Sequence, residues 1–298
     1  MELLRSFSKD LIFNPHVKPL SEDEIIPLLS GCKGYIAGLD YISRKVIENA
    51  PDLKVISRYG VGVDRVDLKA AKEKGIVVCN TPAVNANAVA DLAFALLLSI
   101  ARRVPVLNQQ IRAGEWPRST GFELYGKTIG LLGLGAIGRA VAKRASGFSM
   151  KIMAHDPFIN LQYAEENGII AANFDEVIKQ ADFISLHLPL VEDTRNIISK
   201  GAMEAMKKGV VIINTSRGGL IDENAAYDLL KSGHLGGLGL DAFEKEPPDA
   251  SPLFELDNVI VTPHTGAHTA EATAAMADGS VRNLIDVLSG KECPNIVN

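Results

Sequence analysis

The sequence predicts an α/β protein with a doubly wound parallel sheet, and three observations support this fold class. Short apolar runs alternate with amphipathic stretches along the chain, as in parallel sheets joined by crossover helices. A glycine-rich turn at residues 133–138 joins an apolar run to a stretch with helical periodicity. A further long helical stretch follows the last apolar run, so the chain is expected to return to an earlier domain at its C-terminus.

The elements before the glycine-rich turn follow from local signals. Apolar runs predict strands at 34–37, 54–57 and 76–79. Ser21 and Glu24 form a capping-box pattern that opens a helix over 21–29, and Gly75 ends a helix over 68–74. A third short helix is expected at 43–49, and a single long helix between 84 and 113.

The second half of the chain continues the alternation. We expect strands at 128–132, 151–154, 183–186, 210–214, 238–240 and 259–261, and helices at 136–148 and 270–288. This order predicts a discontinuous domain made of residues 1–84 plus 269–298, with a nucleotide-binding domain at 85–268 inserted into it. The cleft between the two would hold the substrate.

Composition excludes several classes of protein. The chain has 298 residues, 47% hydrophobic residues and a net charge of −5, so no basic face for nucleic acid is expected. Its longest apolar run, 92–100, is too short to span a bilayer, and no signal peptide is predicted. Cys32, Cys79 and Cys293 are far apart, which favours reduced thiols in a cytoplasmic protein over a disulfide framework or a metal site.

The glycine-rich turn has the pattern of a dinucleotide site in a Rossmann-type domain. Gly133 permits a tight turn, Gly135 lets the backbone approach a pyrophosphate, and Gly138 lets the helix pack close to the strand. The helix that starts there directs free N–H groups at the phosphates. Asp156 ends the next apolar run, where it can accept hydrogen bonds from a ribose, so we expect NAD to be the cofactor.

Three polar side chains follow the ends of later strands, where open α/β sheets bind ligands. Arg217 can hold a carboxylate in a bidentate fork, although a surface arginine would fit the same loop. Glu246 lies in an acidic loop that, taken alone, reads better as solvated. His264 can exchange a proton near neutral pH or can be structural. Together, at successive strand ends, they suggest one catalytic constellation.

The order of the motifs resembles that of the D-isomer-specific 2-hydroxyacid dehydrogenases, closest to the phosphoglycerate dehydrogenase branch. The resemblance covers nearly the whole chain. Its motifs are Arg58 to Asp64, Asn80-Thr81-Pro82, the glycine-rich turn, His187-Leu188-Pro189-Leu190, Asn214 to Gly219, Asp241 to Pro248 and Thr262 to Thr269.

This resemblance implies a flavodoxin-like substrate domain split around the Rossmann domain, and a homodimer formed through the long helix within 85–113. Arg217 would orient the substrate, His264 would be the acid/base, and Glu246 would pair with it. The N–H groups of Val61 and Gly62 would bind the substrate carboxylate. Cofactor contacts would come from Thr81, Gly133, Gly135, Ala136, Ile137, Gly138, Asp156, Leu188, Pro189, Thr215, Ser216 and Asp241.

Departures from the family leave the substrate open. The segment before Ser21 is short compared with the family, so we expect either that an initial strand of the substrate sheet is missing or that the start is assigned downstream of the true one. Gly38-Leu39-Asp40 stands where many phosphoglycerate enzymes carry an arginine, whereas Arg58 could read a 3-phosphate or only brace its loop. We expect a small D-2-hydroxy acid of the 3-phosphoglycerate or hydroxypyruvate type, with the phosphorylated one first on motif similarity.

Two alternatives to phosphoglycerate oxidation stay open at this stage. One is a glyoxylate/hydroxypyruvate reductase. The other is a non-enzymatic, NAD-gated protein-interaction module like the related corepressors, and turnover of any 2-oxo acid with NADH separates this class from the enzymes.

Overall fold

The computed structural model of the chain describes residues 2–16 and 18–298, and these divide into two compact units. The first unit consists of the chain up to Asn85 together with Thr269–Asn298. The second unit is the continuous segment Ala86–His268. Each unit is built around its own parallel sheet.

The first unit combines short helices with three strands. In chain order its elements are α1 (Glu2–Phe7), α2 (Glu22–Leu28), β1 (Gly34–Ala37), α3 (Arg44–Glu48), β2 (Val55–Arg58), α4 (Leu68–Glu73) and β3 (Val77–Cys79). The predicted capping box is confirmed, since the Ser21 N–H donates to Glu24 Oε2 at 2.8 Å at the start of α2. Gly75 follows α4 with φ +68°, which explains why that helix ends there.

The second unit alternates strands and helices. Its elements are α5 (Ala86–Arg102), α6 (Val104–Arg112), β4 (Thr128–Leu132), α7 (Ala136–Gly147), β5 (Lys151–His155), α8 (Leu161–Glu166), β6 (Ile169–Ala171), α9 (Phe174–Gln180), β7 (Phe183–Leu186), α10 (Lys200–Glu204), β8 (Val210–Asn214), α11 (Glu223–Lys231), β9 (Leu235–Leu240) and β10 (Val259–Val261). The chain then returns to the first unit with α12 (Ala270–Leu288).

The sheet of the first unit has the order β1-β2-β3, with all pairs parallel. Ile56 at its centre lies beside Tyr35 on one side and Val78 on the other. Ile56 and Val78 are fully buried, so the apolar runs of the sequence become the core of this unit. The C-terminal segment continues past β3, where Ile296 forms an antiparallel bridge with Cys79.

The sheet of the second unit has the order β10-β9-β8-β7-β4-β5-β6. All its pairs are parallel, and its direction of winding reverses between β4 and β7. This is the doubly wound Rossmann arrangement that the sequence predicts, with its switch point beside the strand that carries the glycine-rich turn. Ligands of such sheets bind outside the carboxyl ends of the strands, so these ends position the site.

Two expectations from the sequence are corrected here. The helical pattern from 84 to 113 is two helices, because Arg103 lies between α5 and α6 with φ +52°, a left-handed conformation that interrupts the helix. Strand β9 begins at Leu235, three residues before the expected start. The start was not predicted because Gly236 and Gly237 weaken the strand pattern; Gly236 packs closely against Gly209, and Gly237 against Ile100.

Within residues 2–16 and 18–298, no helix is long and apolar enough to cross a membrane. The same part of the chain contains no group of three or more His, Cys, Asp or Glu side chains arranged to hold a metal ion.

Candidate active site

The loops that carry Arg217, Glu246 and His264 follow three neighbouring strands, β8, β9 and β10. The ends of these strands are in register. Asn214 pairs with Leu240, the Asp241 N–H donates to the Asn214 carbonyl oxygen at 2.9 Å, and the Thr262 N–H donates to the Leu240 carbonyl oxygen at 2.9 Å. The structure therefore brings the three predicted loops to one edge of the second unit's sheet.

His264 and Glu246 form a direct contact. Nδ1 of the imidazole lies 2.8 Å from Oε1 of the carboxylate, and the side chains are 27% and 15% exposed. The same Oε1 accepts a hydrogen bond from the Phe243 N–H at 3.2 Å, which fixes the carboxylate in its loop. A carboxylate at Nδ1 sets the tautomer of the ring and leaves Nε2 to exchange a proton with a ligand.

The loop that carries His264 is organised by Asp241, which is 1% exposed. Oδ1 of Asp241 accepts hydrogen bonds from the Thr262 hydroxyl at 2.6 Å and the Thr265 N–H at 2.8 Å, and Oδ2 accepts one from the Gly266 N–H at 2.8 Å. His264 itself has φ +50°, an uncommon conformation for a non-glycine residue. The sequence predicts Asp241 as a cofactor contact, and the structure adds that its carboxylate binds the Thr262 side chain before His264 and the backbone after it.

Arg217 is placed by a close approach of two backbones. A Cβ on Gly218 would overlap the backbone of Phe243 and Glu244, so only glycine lets the Arg217 segment pack against the loop that holds Glu246. The Asn214 side chain donates to the Arg217 carbonyl oxygen at 2.7 Å, which turns the chain at the end of β8. The guanidinium is half-buried and donates to the Ser216 carbonyl oxygen at 2.7 Å.

The glycine-rich turn has the geometry that its pattern predicts. Gly133 has φ +100°, and a Cβ there would overlap the His187 carbonyl oxygen. A Cβ on Gly138 would overlap the Gly133 carbonyl oxygen, which explains the close packing of α7 on β4. A Cβ on Gly135 would meet open space, so this backbone is accessible to a ligand at the N-terminus of α7, where Ala136 and Ile137 begin the helix.

The surroundings of the turn fit a dinucleotide. Asp156 follows β5, and its oxygens accept hydrogen bonds from the N–H groups of Leu134 and Phe158, each at 2.8 Å. The buried hydroxyl oxygen of Thr215, after β8, has no hydrogen-bond partner within the described residues, as expected of a group that a bound cofactor would satisfy. The Ser216 hydroxyl instead donates to the Leu186 carbonyl oxygen at 2.7 Å. Leu188 is buried and Pro189 is exposed.

The backbone of His187 packs against Gly133 of the glycine-rich turn. The sequence did not reveal the environment of its side chain. Its Nε2 is 2.9 Å from the Ser185 hydroxyl, and its buried Nδ1 has no partner in the described chain. Burial lowers the pKa of His187 to about 3, because a charged imidazole would lose its hydration there. His187 is therefore neutral at physiological pH.

The first unit contains the remaining predicted site residues. Thr81 is 2% exposed, and its hydroxyl accepts a hydrogen bond from the Gly60 N–H at 3.0 Å. Val61 and Gly62 follow in the same loop, which the Asn80 side chain holds by donating to the Val61 carbonyl oxygen at 2.9 Å. Arg58 is 4% exposed and donates to the carbonyl oxygens of Gly62 at 2.9 Å, Ala37 at 3.1 Å and Gly38.

Asp40, which the sequence places where related enzymes carry an arginine, is a buried structural acceptor. Its carboxylate accepts hydrogen bonds from the Tyr35 hydroxyl at 2.8 Å and the Leu20 N–H at 2.7 Å. Burial, together with the negative charge of Asp40, raises the pKa of Tyr35 above its ordinary value. This carboxylate therefore joins the segment before α2 to the end of β1.

The doubly wound sheet of the second unit and its glycine-rich turn are those of an NAD-binding domain, and the comparisons with known proteins agree. Residues 94–266 match the family model of the D-isomer specific 2-hydroxyacid dehydrogenase NAD binding domain. The chain is 44% identical over 285 residues to a D-3-phosphoglycerate dehydrogenase of Methanocaldococcus jannaschii, covering 95% of this chain and 53% of that protein. It is 44% identical over 268 residues to a glyoxylate reductase of Thermococcus litoralis, covering 87% of this chain and 81% of that protein.

A solved structure of a Thermus thermophilus protein matches with a TM-score of 0.86 and 39% identity, covering 97% of this chain and 91% of that one. The chain belongs to the D-isomer-specific 2-hydroxyacid dehydrogenase family. It spans about half the length of the phosphoglycerate dehydrogenases it matches but 79–87% of the length of the glyoxylate reductases.

Proposed function

We propose that the protein uses NADH to reduce a small, unphosphorylated 2-oxo acid of the glyoxylate or hydroxypyruvate type to its 2-hydroxy acid. The observation that carries this proposal is the 2.8 Å contact between His264 and Glu246, on the same sheet edge as Arg217. The cofactor supplies the hydride, and the protein supplies orientation, charge and the proton.

Each of the three side chains has a distinct role in this proposal. Nε2 of His264 donates the proton to the carbonyl oxygen as it becomes a hydroxyl, and takes it back in the reverse direction. Glu246 accepts the hydrogen bond of Nδ1 and so fixes the orientation of the ring. Arg217 offers a planar, permanently charged fork that binds the substrate carboxylate and polarises the neighbouring carbonyl.

For the first unit we propose that the N–H groups of Val61 and Gly62 bind a carboxylate. Two consecutive backbone N–H groups in a glycine-containing turn form a small anion-binding concavity. Val61 is 40% exposed, so this turn is accessible. The side chains of Asn80 and Arg58 hold it by donating to the carbonyl oxygens of the same two residues, which keeps those oxygens away from an incoming anion.

The preference for an unphosphorylated substrate rests on Arg58. A phosphate-reading arginine must present N–H donors to solvent, whereas this guanidinium is 4% exposed and donates to three carbonyl oxygens of its own unit. Asp40, at the position compared above with an arginine, is a hydrogen-bond acceptor and supplies no positive charge for a phosphate. The bracing interpretation of Arg58 is therefore favoured over phosphate recognition.

The homodimer remains a proposal. The break at Arg103 divides the helix that was expected to form the dimer interface, so the two resulting helices are considered separately. Helix α5 buries most of its apolar side chains within the second unit. Exposed large apolar side chains instead occur on α6 and the segment after it, namely Val104, Ile111, Trp116 and Tyr125. We propose that a second copy of the chain covers this surface. Light scattering of the wild type and of Trp116→Ala tests this proposal.

The cytoplasmic location stays a prediction.

A substrate panel tests the proposed activity. Purified protein is assayed with glyoxylate, hydroxypyruvate, phosphohydroxypyruvate and pyruvate, each with NADH and with NADPH. We expect the highest kcat/KM with an unphosphorylated acid, at least tenfold in favour of NADH because the Asp156 carboxylate repels a 2′-phosphate. Arg217→Lys should lose about 10²-fold in kcat/KM, since an ammonium cannot reproduce the fork, whereas Arg112→Lys on α6 should be unchanged.

Preference for phosphohydroxypyruvate would overturn the substrate proposal while leaving the reaction intact. Absence of turnover with every acid, with NADH binding retained, would overturn the enzyme and favour the NAD-gated interaction module.

A further inference from the structure

Cys79 and Cys293, which are 214 residues apart in the chain, lie next to each other in the first unit. Their Sγ atoms are 3.6 Å apart, a van der Waals contact between two thiols. Cys79 is fully buried at the end of β3, and Cys293 is 7% exposed in the C-terminal segment. The sequence predicted reduced thiols without a disulfide framework, because nothing in the spacing of the cysteines reveals that the C-terminal segment contacts β3.

Backbone pairing holds the two cysteines in this position. The Asn80 N–H donates to the Asn295 carbonyl oxygen at 3.1 Å, and the Val297 N–H donates to the Val78 carbonyl oxygen at 2.9 Å. The Asn298 side chain accepts from the Val78 N–H and donates to the Ile76 carbonyl oxygen, both at 2.8 Å. The C-terminal segment therefore lies antiparallel beside β3, joined to it by one isolated bridge and these side-chain contacts.

Asn283 of α12 fixes the same pair from the other side. It is 3% exposed, and its side chain donates to the Asn80 carbonyl oxygen at 2.7 Å. Its Oδ1 accepts from the Asn295 side chain at 2.9 Å and from the Cys293 thiol at 3.5 Å. Both chain segments that bear the cysteines are thus tied to one buried amide, so the thiols are held together.

Cys32 offers an internal comparison. Its thiol is half-buried and donates to the Leu28 carbonyl oxygen at 3.2 Å, one turn back in the chain. No cysteine contact is formed by this thiol among the described residues. The two cysteines in contact are the ones that join the two separate chain segments of the first unit.

We propose that Cys79 and Cys293 are a redox-modification site, which a hydroperoxide converts into an intrachain disulfide. Cys293, the more exposed of the two, reacts first. Its thiol loses a proton, the thiolate attacks one peroxide oxygen, and the O–O bond breaks to give a sulfenic acid and a hydroxide, which takes up the proton as the first water. The Cys79 sulfur then attacks the Cys293 sulfur, the S–O bond breaks, the S–S bond forms, and the hydroxide leaves with the Cys79 proton as a second water. Two thiols and hydrogen peroxide give one disulfide and two waters.

The structure accounts for the order of these steps and for the reach of the bond. Burial raises the pKa of the Cys79 thiol to about 12, so Cys79 persists as a thiol until a sulfenic acid forms beside it. The sulfurs need to approach by roughly 1.5 Å to reach a bond of about 2.05 Å. The larger shift is expected on the side of Cys293, because a single isolated bridge joins the C-terminal segment to β3, whereas β3 is also paired with β2 along its length.

The disulfide would act as a covalent staple. It closes a loop of 214 residues that contains the whole second unit, Ala86–His268. Closing a long loop removes conformational freedom from the unfolded chain and so stabilises the folded one. The oxidised protein should therefore unfold at a midpoint higher by about 5 °C or more than the reduced protein.

The experiment uses the Cys32→Ser variant, which leaves only the two thiols of interest. Folded protein is treated with hydrogen peroxide, quenched with catalase, denatured, alkylated with iodoacetamide and digested. We expect no alkylated cysteine, and one cross-linked peptide pair containing residues 79 and 293 that is 2 Da lighter than the two thiol peptides. Dithiothreitol should restore both thiols. Cys293→Ser in the same background is the control, and should give no cross-link while reporting any methionine oxidation.

Two results would overturn the proposal. One is retention of both alkylatable thiols, or their conversion to sulfinic acids without a cross-link. The other is a wild-type cross-link that involves Cys32. The stabilising effect of the disulfide is tested by comparing the unfolding midpoints of oxidised and reduced Cys32→Ser. The Cys293→Ser control gives the effect of methionine oxidation, which is subtracted. Equal midpoints after this subtraction would exclude stabilisation by the disulfide.

Discussion

Nδ1 of His264 lies 2.8 Å from Oε1 of Glu246, although the two residues follow different strands. The parallel pairing of β9 with β10 brings their loops together at one sheet edge. Because Glu246 occupies Nδ1, the proton that a substrate could receive is the one on Nε2. The pair therefore has the arrangement of a general acid held in one orientation.

Removing either partner should reduce catalysis without removing cofactor binding. His264→Ala should lower kcat by about 10³-fold or more, since no other group replaces the proton donor. Glu246→Gln replaces the carboxylate acceptor at Nδ1 by an amide that can also present its NH₂ group to the ring, so the ring loses its fixed orientation and kcat should fall by about 10²-fold. Steady-state kinetics gives both values, and quenching of protein fluorescence by NADH gives the cofactor Kd.

His268→Ala is the matched control, because His268 lies in the same loop and is exposed. Its kcat should stay within about twofold of the wild type. Near-normal turnover in His264→Ala would contradict the acid/base assignment.

Asp241 should affect both stability and turnover. In Asp241→Asn, an amide NH₂ replaces one carboxylate oxygen and faces either the Gly266 N–H or the donors at Thr262 and Thr265. A buried donor opposed by another donor should cost about 2–3 kcal/mol of unfolding free energy. The same change frees the backbone at His264, so kcat should fall, and urea titration with steady-state kinetics measures both effects.

Thr262→Val separates the contributions at Asp241. It removes one hydrogen bond to the carboxylate and preserves the other two, so it should cost only about 1 kcal/mol. If Asp241→Asn raised the KM for NADH and left stability and kcat unchanged, the carboxylate would be a cofactor contact and not a support for the loop.

The sequence predicted several strands of the second unit closely because their signals are local, whereas the short elements α8, β6, α9, α10 and α11 were not predicted. Strands β4, β7, β8 and β10 are continuous apolar runs, and the structure has them at the expected residues. The break at Arg103 had a local signal that the helical periodicity outweighed: Pro105 is tolerated in the first turn of a helix but not in its interior. The left-handed conformation of Arg103 itself depends on the surrounding fold. The start of β9 was not predicted because its glycines carry no side chain and so weaken the apolar pattern of a strand.

The candidate site shows a similar limit. Residue type and position at strand ends suggested Arg217, Glu246 and His264, and the sheet order explains why their loops meet. The hydrogen bonds of Asp241, the burial of His187 and the contact of Cys79 with Cys293 depend on residues distant in the chain. No periodicity or spacing carries such information, so these features required the three-dimensional structure.

His187 should make stability fall at acid pH. Its pKa is about 3 in the folded protein because of burial and about 6.5 in an unfolded chain, so between these values the unfolded state binds the extra proton. Stability from the neutral ring is therefore fully present above pH 6.5 and is lost progressively as the pH falls towards 3. Between pH 6.5 and 5 this group alone should remove at most about 2 kcal/mol.

Comparing pH profiles isolates this contribution. The free energy of unfolding is measured by urea denaturation at pH 7 and pH 5 for the wild type, His187→Gln and His268→Gln. The difference between the two pH values should be smaller in His187→Gln by about 2 kcal/mol and unchanged in His268→Gln, whose ring is exposed. Equal differences in all three proteins would show that His187 is not held neutral.

Arg58 should act on every substrate alike. Its guanidinium joins the end of β1, through Ala37 and Gly38, to the loop that contains Gly62. Arg58→Ala leaves these buried carbonyl oxygens without their charged donor and opens a cavity, which should cost about 3 kcal/mol of unfolding free energy. Because the same loop presents the N–H groups proposed to bind the carboxylate, the KM values for hydroxypyruvate and phosphohydroxypyruvate should rise by similar factors.

A phosphate-reading arginine predicts a different pattern, namely a selective loss on phosphohydroxypyruvate with hydroxypyruvate turnover preserved. Arg58→Lys sharpens the comparison, since it keeps a positive charge but cannot donate to three carbonyl oxygens in the same geometry. If the charge reads a phosphate, lysine should restore much of the phosphohydroxypyruvate activity; if the fork braces the loop, lysine should fail on both acids. Arg44→Ala, which removes an exposed ion pair with Glu73 in the same unit, should change stability by less than about 1 kcal/mol and leave both KM values unchanged.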